Sequence, residues 1–157
     1  MIALGCDHGG FELMKEIKKY LESAGYEYKD FGTFTKASCD YPVIVAPAAV
    51  AIIEGVCDKG ILICGTGIGM SMAANKIPGI RAALCTNRYM AEMTRSHNDA
   101  NVLVLGGRVI ESDLAVEIIK AFLGTSFSEK EKHRRRVAML SEMEEGRINA
   151  SLCTKNI

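Results

Sequence analysis

The clearest structural signal in this chain is the stretch Lys59-Gly60-Ile61-Leu62-Ile63-Cys64-Gly65-Thr66-Gly67-Ile68-Gly69-Met70-Ser71. Residues 61–64 are continuously apolar, which is typical of a parallel strand that is covered on both faces. Three glycines then alternate with other residues, and residues 68–76 favour a helix. The stretch therefore predicts a buried strand, a glycine-rich turn and a helix in direct succession.

The glycine-rich turn is suited to holding an anion. Gly65, Gly67 and Gly69 let the backbone take unusual dihedral angles and let a ligand approach closely. The first amides of the following helix have no partners within that helix, so they can bind a phosphate or an oxyanion. Cys64 ends the strand beside these amides, where the thiolate is favoured, although a small core residue is the alternative interpretation.

Two common phosphate-binding motifs do not fit this turn. No Gly-Lys-Ser/Thr follows the glycines, so the turn is not a P-loop. The G-x-G-x-G spacing is not that of a dinucleotide fingerprint, and the next predicted strand ends in Cys85-Thr86-Asn87 without the acidic residue that holds a ribose. These two exclusions leave open which phosphate or oxyanion the turn binds.

Composition narrows the class of protein. The 157 residues suit one domain, and 19 basic residues balance 19 acidic ones, which argues against a general nucleic-acid binder. No apolar run reaches membrane-spanning length and no signal region precedes the first strand, so we expect a cytoplasmic protein without a membrane partner. The six cysteines include no C-x-x-C pair, which argues against zinc and redox motifs.

Strand and helix patterns alternate along the chain. Strands are predicted at residues 1–6, 26–31, 59–64, 80–86 and 101–106, and helices at residues 11–24, 42–55, 68–76, 87–97, 112–124 and 128–145. Asn87 and Ser112 are predicted N-caps, and Pro47 is expected to kink or delay its helix. The fold class is therefore α/β, with a five-stranded parallel sheet and helices on both faces.

Ligands of such sheets bind at the carboxyl ends of the strands, which selects a few polar residues. Asp7 and His8 follow the first strand, Cys64 ends the third and Arg108 follows the fifth. An acid, an imidazole, a thiol and a guanidinium are thus predicted at one edge. The alternatives are a helix N-cap for Asp7, a solvated loop position for His8 and a surface charge for Arg108.

Two further groups are candidates for binding. His97, followed by Asn98, closes a predicted helix, where a histidine can also simply complement the helix dipole. The basic run from Lys130 to Arg136 places Lys132 and Arg136 four residues apart on one helix face, which suits a phosphate, although a solvated face is the usual meaning of a charge run.

Several motifs together resemble the ribose-5-phosphate isomerase type B family of sugar-phosphate isomerases. The resemblance covers about residues 1–145 and rests on Asp7-His8-Gly9-Gly10, Asp40-Tyr41-Pro42, Cys64-Gly65-Thr66-Gly67-Ile68-Gly69, Ala73-Ala74-Asn75-Lys76, Gly79-Ile80-Arg81-Ala82, His97-Asn98-Asp99-Ala100-Asn101 and the His133–Arg136 run. It implies a flavodoxin-like single domain over residues 1–145 with a C-terminal helix used in dimerisation. It also implies a homodimer or a dimer of dimers with shared active sites, and no metal or organic cofactor. The weakly patterned tail at residues 146–157 has no counterpart in the family.

The resemblance assigns a role to each candidate residue. Cys64 would be the base that moves a proton between C2 and C1, and Asp7 would exchange protons on O1 and O2. His97, contributed by the second chain, would assist ring opening. The anion hole for an enediolate would comprise Gly65, Thr66, Gly67 and Gly69. Phosphate would be bound by His8, Arg108, Lys132 and Arg136, and the sugar would be lined by Tyr41 and Asn98.

The expected function is the interconversion of ribose 5-phosphate and ribulose 5-phosphate in the pentose phosphate pathway. Lys132 stands where many relatives carry arginine, and Met70 stands where one branch carries a glutamate base, so Cys64 has to serve as the base. The nearest alternative is the same chemistry on a six-carbon sugar phosphate, such as allose 6-phosphate or galactose 6-phosphate. A noncatalytic phosphate-binding module and a thiol redox protein are alternatives from other classes.

Overall fold

The computed structural model describes residues 1–148, which form five strands and six helices. The strands are β1 (Ile2–Cys6), β2 (Tyr28–Asp30), β3 (Lys59–Cys64), β4 (Ala82–Leu84) and β5 (Val102–Gly106). The helices are α1 (Phe11–Ser23), α2 (Tyr41–Ile53), α3 (Ile68–Ala74), α4 (Arg88–Asn98), α5 (Ser112–Gly124) and α6 (Glu131–Glu144). Each strand is followed by a helix, as the sequence predicts.

The strands form one parallel sheet in the order β2-β1-β3-β5-β4. This confirms the predicted flavodoxin-like α/β fold, with β5 inserted between β3 and β4 relative to the common order 2-1-3-4-5. The register pairs Cys6 with Ile63 and Cys64 with Gly106, so the ends of β1, β3 and β5 meet at one edge. The residues that follow these three strands are thereby brought together.

Helices cover both faces of the sheet, and successive strand residues alternate between them. Ile61 and Ile63 pack in the core against α1, α4 and α5, whereas Leu62 and Cys64 pack in the core against α2 and α3. All four are buried, as a central parallel strand requires. Cys64 thus points from the end of β3 towards the layer that contains α2 and the helix of the glycine-rich turn.

The structure differs from the predicted elements at several points. The edge strands β2 and β4 have three residues each, fewer than predicted, because each is hydrogen-bonded to only one neighbouring strand. Asn87 is confirmed as an N-cap, since its side chain accepts from the Met90 amide. The prediction for Ser112 is wrong: Glu111 is the N-cap residue, its side chain makes no capping bond, and Ser112 is the first helical residue.

Pro47 does not end helix α2, which runs through it from Tyr41 to Ile53. Pro47 and Val43, four residues before it, both lie on the exposed side of the helix. The Val43 carbonyl, which loses its usual amide partner at Pro47, can therefore accept from water. The cost of an internal proline is smallest on such a face, and the helix is not delayed by Pro47. The kink stays a prediction.

Helix α6 follows the last strand–helix pair and is mostly exposed. Its use in dimerisation stays a prediction. Of the predicted tail at residues 146–157, residues 149–157 lie outside the described part of the chain. No helix within residues 1–148 has the length and apolar character needed to cross a bilayer.

Candidate active site

The thiol of Cys64 is held inside the glycine-rich turn. Its side chain is 4% exposed, and the Gly67 amide donates a hydrogen bond to Sγ over 3.1 Å. This contact is possible because Gly67 adopts a left-handed conformation, with φ of 79°, that turns its amide back onto the strand end. The Cys64 sulfur thus accepts a hydrogen bond from a backbone amide.

Other buried cysteines have different surroundings. Burial raises the pKa of Cys6 to about 12 and that of Cys85 to about 11. Their Sγ atoms donate to the carbonyls of Thr33 and Ala83 respectively, as neutral thiols do. The five cysteines within residues 1–148 are all free thiols, so a disulfide-based redox site receives no support there.

The turn that holds the thiol also contains backbone amides without an acceptor among residues 1–148. The first hydrogen bond of α3 runs from the Ser71 amide to the Gly67 carbonyl, and the Ile68 amide contacts Thr66 Oγ1 at 3.4 Å. Within residues 1–148 no acceptor is paired with the amides of Gly65 and Thr66. Unpaired N–H groups in a turn of this kind are suited to negative charge, and the Cys64 sulfur lies in the same turn.

Asp7 lies against this turn. Its carboxylate is 6% exposed, and Oδ1 accepts from the amides of Gly9 at 2.8 Å and Gly10 at 3.1 Å. A Cβ placed on Gly9 would lie 2.7 Å from the Gly65 nitrogen and 3.2 Å from Asp7 Oδ1. The carboxylate and the glycine-rich turn therefore meet across Gly9. Asp7 also supports the turn before α1, as its alternative interpretation suggested, but the N-cap itself is Gly10.

Two basic side chains flank the same edge. The Arg108 amide donates to the Gly65 carbonyl at 2.9 Å, and the Arg108 side chain lies over Gly65, with Nε and Nη1 each 3.5 Å from the position of a Cβ there. His8 Nδ1 accepts from the Cys39 amide at 3.4 Å, so in the neutral ring the proton lies on Nε2. Both side chains can donate to an anion bound near the turn.

Tyr41, the first residue of α2, covers the third glycine of the turn. A Cβ on Gly69 would lie 2.8 Å from the Tyr41 ring and 3.2 Å from its hydroxyl oxygen. The phenol is half-buried, so its hydroxyl remains available at the edge of the site. Tyr41 thus stands beside the glycine-rich turn, and its sugar-lining role stays a prediction.

Four predicted site residues lie elsewhere in the protomer. His97 and Asn98 are in the last turn of α4, next to the beginning of β5, and Lys132 and Arg136 are on α6. The Cys64 edge is at the other end of β5, roughly 13 Å away along a five-residue strand. All four side chains are exposed. One protomer therefore does not bring them to Cys64.

Comparison with known proteins identifies the family. The profile described as Ribose/Galactose Isomerase matches residues 2–140. The chain belongs to the ribose/galactose isomerase family. This confirms the predicted family and the enzyme class, an aldose–ketose isomerase.

Relatives in the ribose/galactose isomerase family span nearly the whole chain. Ribose-5-phosphate isomerase B of Escherichia coli is 46% identical over 93% of this chain and 97% of its own. A structure of ribose-5-phosphate isomerase B of Clostridium thermocellum has a TM-score of 0.90 and 51% identity, covering 92% of this chain and 97% of that one. A 4-deoxy-4-sulfo-D-erythrose isomerase of a Clostridium strain is 40% identical over 98% of both chains.

Sequence reasoning missed two features of this family member. Gly9 and Gly107 pack backbone against backbone beside Gly65, since a Cβ on Gly107 would lie 2.7 Å from the Gly9 carbonyl oxygen. The signal was present in the paired glycines after β1 and β5. His133, which was noted only as part of the basic run, is buried against His97, and no local pattern distinguishes it from its exposed neighbours.

Proposed function

We propose that this isomerase interconverts ribose 5-phosphate and ribulose 5-phosphate through an enediolate, with Cys64 as the general base. The observation that carries the proposal is the Gly67 amide donating to Cys64 Sγ at 3.1 Å, within a turn whose Gly65 and Thr66 amides are unpaired within residues 1–148. A base beside preorganised donors is the pairing that enolisation needs. The names of relatives support ribose 5-phosphate as the substrate.

The proposed reaction moves one carbon-bound proton. The Cys64 thiolate removes the proton from C2 of the open-chain aldose and returns it to C1. Negative charge grows on the oxygens meanwhile, and the amides of the turn stabilise it, a contribution of about 3–4 kcal/mol per well-placed donor. Asp7, with Oδ1 occupied by Gly9 and Gly10, uses Oδ2 to move the proton between O1 and O2.

The phosphate fixes the far end of a flexible open chain. His8 and Arg108 are the cationic or donor groups at the Cys64 edge, and Tyr41 lies beside them to contact the sugar. Binding the substrate at both ends holds its reacting carbons in a fixed orientation relative to the base. In the proposed assembly, Lys132 and Arg136 complete the phosphate site. His97 assists ring opening there, and Asn98 contacts the sugar.

We further propose a homodimer in which these four residues reach the Cys64 edge of the second copy. Their exposure and their distance from Cys64 within one protomer support this arrangement. A dimer with two-fold symmetry would then contain two equivalent shared sites.

Mixing two defective variants tests the shared site. Cys64→Ala and His97→Ala homodimers are each expected to be impaired on ribose 5-phosphate. After unfolding and refolding together, heterodimers contain one intact site of two, so about a quarter of wild-type activity should return. If both residues served the same site from one chain, mixing would restore nothing, and the shared-site proposal would be wrong.

Arg136→Ala is expected to raise KM for ribose 5-phosphate by about 10–100-fold with kcat within a few-fold, since a charge-assisted hydrogen bond to phosphate contributes about 1.5–3 kcal/mol. Steady-state kinetics measure the change. Arg134→Ala is the matched control, because Arg134 lies on the opposite face of α6 and pairs with Glu129 at 3.6 Å. An unchanged KM in Arg136→Ala would place the phosphate elsewhere.

A substrate panel tests the proposed function itself. Purified protein is assayed for ketose formation from ribose 5-phosphate, allose 6-phosphate, galactose 6-phosphate and 4-deoxy-4-sulfo-D-erythrose; the last is included because of the 40% identical relative. The highest kcat/KM is expected on ribose 5-phosphate. Preference for another sugar would keep the chemistry and change the substrate. Binding of phosphate with no turnover of any sugar would favour the noncatalytic module.

A further inference from the structure

Helix α6 has one buried residue, His133, which is 3% exposed. It lies within the basic run, while its neighbours Lys132 and Arg134 and the apolar Met139 and Leu140 are exposed. A helix that docks on a protein normally buries its apolar residues first. Burying an imidazole instead requires specific partners that compensate for lost water contacts.

These partners connect α6 to the last turn of α4. Ser128 Oγ and His133 Nδ1 are 2.6 Å apart, and the Ser128 amide donates to the Ser96 carbonyl at 3.0 Å. The His133 ring lies against the His97 ring, with centroids 4.2 Å apart and the planes inclined at 43°. Ser128 therefore holds the ring of His133, and His133 in turn borders the ring of His97.

Few other polar contacts hold α6 in place. Within residues 1–148, two side-chain hydrogen bonds join α6 to the preceding chain, namely His133 to Ser128 and Glu144 to the Gly79 amide. Between them a cavity of about 320 Å³ separates the helix from β4, lined by Ala82, Ala83, Leu140 and Met143 among others. The docking of the first turns of α6 thus depends on His133.

We infer that His133, held by Ser128, is a positioning residue for His97. His97 is exposed at the end of α4, and its ring lies against the ring of His133. The ring of His133 restrains it from the side. The inference rests on the proposed function, in which His97 assists ring opening of the sugar.

The charge state of His133 suits this role. Burial lowers the pKa of His133 below its usual value, and the nearby His97, Lys132, Lys130 and Arg136 act in the same direction. A neutral imidazole can pack against His97 without repelling the proton that His97 has to carry during ring opening. His133 is therefore a support for His97 and not a second cation.

The test compares a substrate that forms a ring with one that cannot. Ribose 5-phosphate closes through its 4-hydroxyl, whereas 4-deoxyribose 5-phosphate has no hydroxyl for a five-membered ring. Ser128→Ala and His133→Phe are expected to lower kcat/KM on ribose 5-phosphate about 10-fold and to leave the deoxy substrate within about 2-fold. Ser126→Ala, the same change at an exposed serine two residues away, should affect neither substrate.

Each outcome discriminates. Equal losses of kcat/KM on both substrates would show a merely structural effect. Unchanged kcat/KM in both variants would show no effect on His97 at all. Either result overturns the inference. Ser128→Ala keeps the test valid if His133→Phe folds poorly, because it removes the hydrogen bond and leaves the ring. His97→Ala is measured in parallel. If its kcat/KM falls equally on both substrates, the ring-opening role itself is wrong, and the inference is wrong with it.

Discussion

Cys64→Ala is expected to lower kcat on ribose 5-phosphate by about 10²–10⁴-fold, the usual contribution of a general base. The variant removes the sulfur that accepts from the Gly67 amide and leaves no proton acceptor at the end of β3. Asp7 is a carboxylate beside the turn, but its Oδ1 already accepts from two amides. A coupled assay of ketose formation measures the loss.

Cys85→Ala is the matched control for this change. Cys85 is 1% exposed, and burial raises its pKa to about 11, so it is a neutral thiol at assay pH. The control should lose some thermal stability from the small cavity while its kcat stays within about 2-fold. Cys64→Ala should still bind inorganic phosphate in competition with ribose 5-phosphate. More than a tenth of wild-type turnover in Cys64→Ala would contradict the base assignment.

Much of the fold could be predicted because local and global signals agree. The apolar run of β3 and the glycines after it form the predicted strand and turn, and the rule on carboxyl strand ends correctly grouped Asp7, Cys64 and Arg108. The insertion of β5 between β3 and β4 could not be derived, since strand order depends on long-range packing. The edge strands β2 and β4 are shorter than predicted, because their length too depends on pairing with the rest of the sheet.

The site was predicted less completely, and the reasons are physical. Residue type and spacing select Cys64 and the turn, but they do not show which residues touch through space. His133 and the exposed arginines of α6 have the same local sequence character, and only tertiary contact with α4 distinguishes them. The resemblance alone implied that His97 comes from a second chain. The structure adds a physical reason for that proposal, because β5 separates His97 from Cys64 within one protomer.

Gly9→Ala is expected to lower kcat about 10²–10³-fold, comparable to losing one oxyanion donor. The new Cβ would lie 2.7 Å from the Gly65 nitrogen and 2.8 Å from its Cα, both of which are backbone atoms. The turn has to move away, and its amides then no longer face the enediolate of the proposed mechanism. Overpacking of this kind also costs about 1–3 kcal/mol of the free energy of unfolding.

Gly124→Ala separates the two effects of a glycine substitution. Gly124 ends α5, and a Cβ there has no neighbour within 4 Å, so both kcat and stability should stay near wild type. Thermal unfolding and steady-state kinetics are measured on both variants. If Gly9→Ala lost stability but kept wild-type kcat, the Gly9–Gly65 contact would serve packing alone. The Gly65 amide would then not belong to the anion hole, because displacing it would have changed nothing in the reaction.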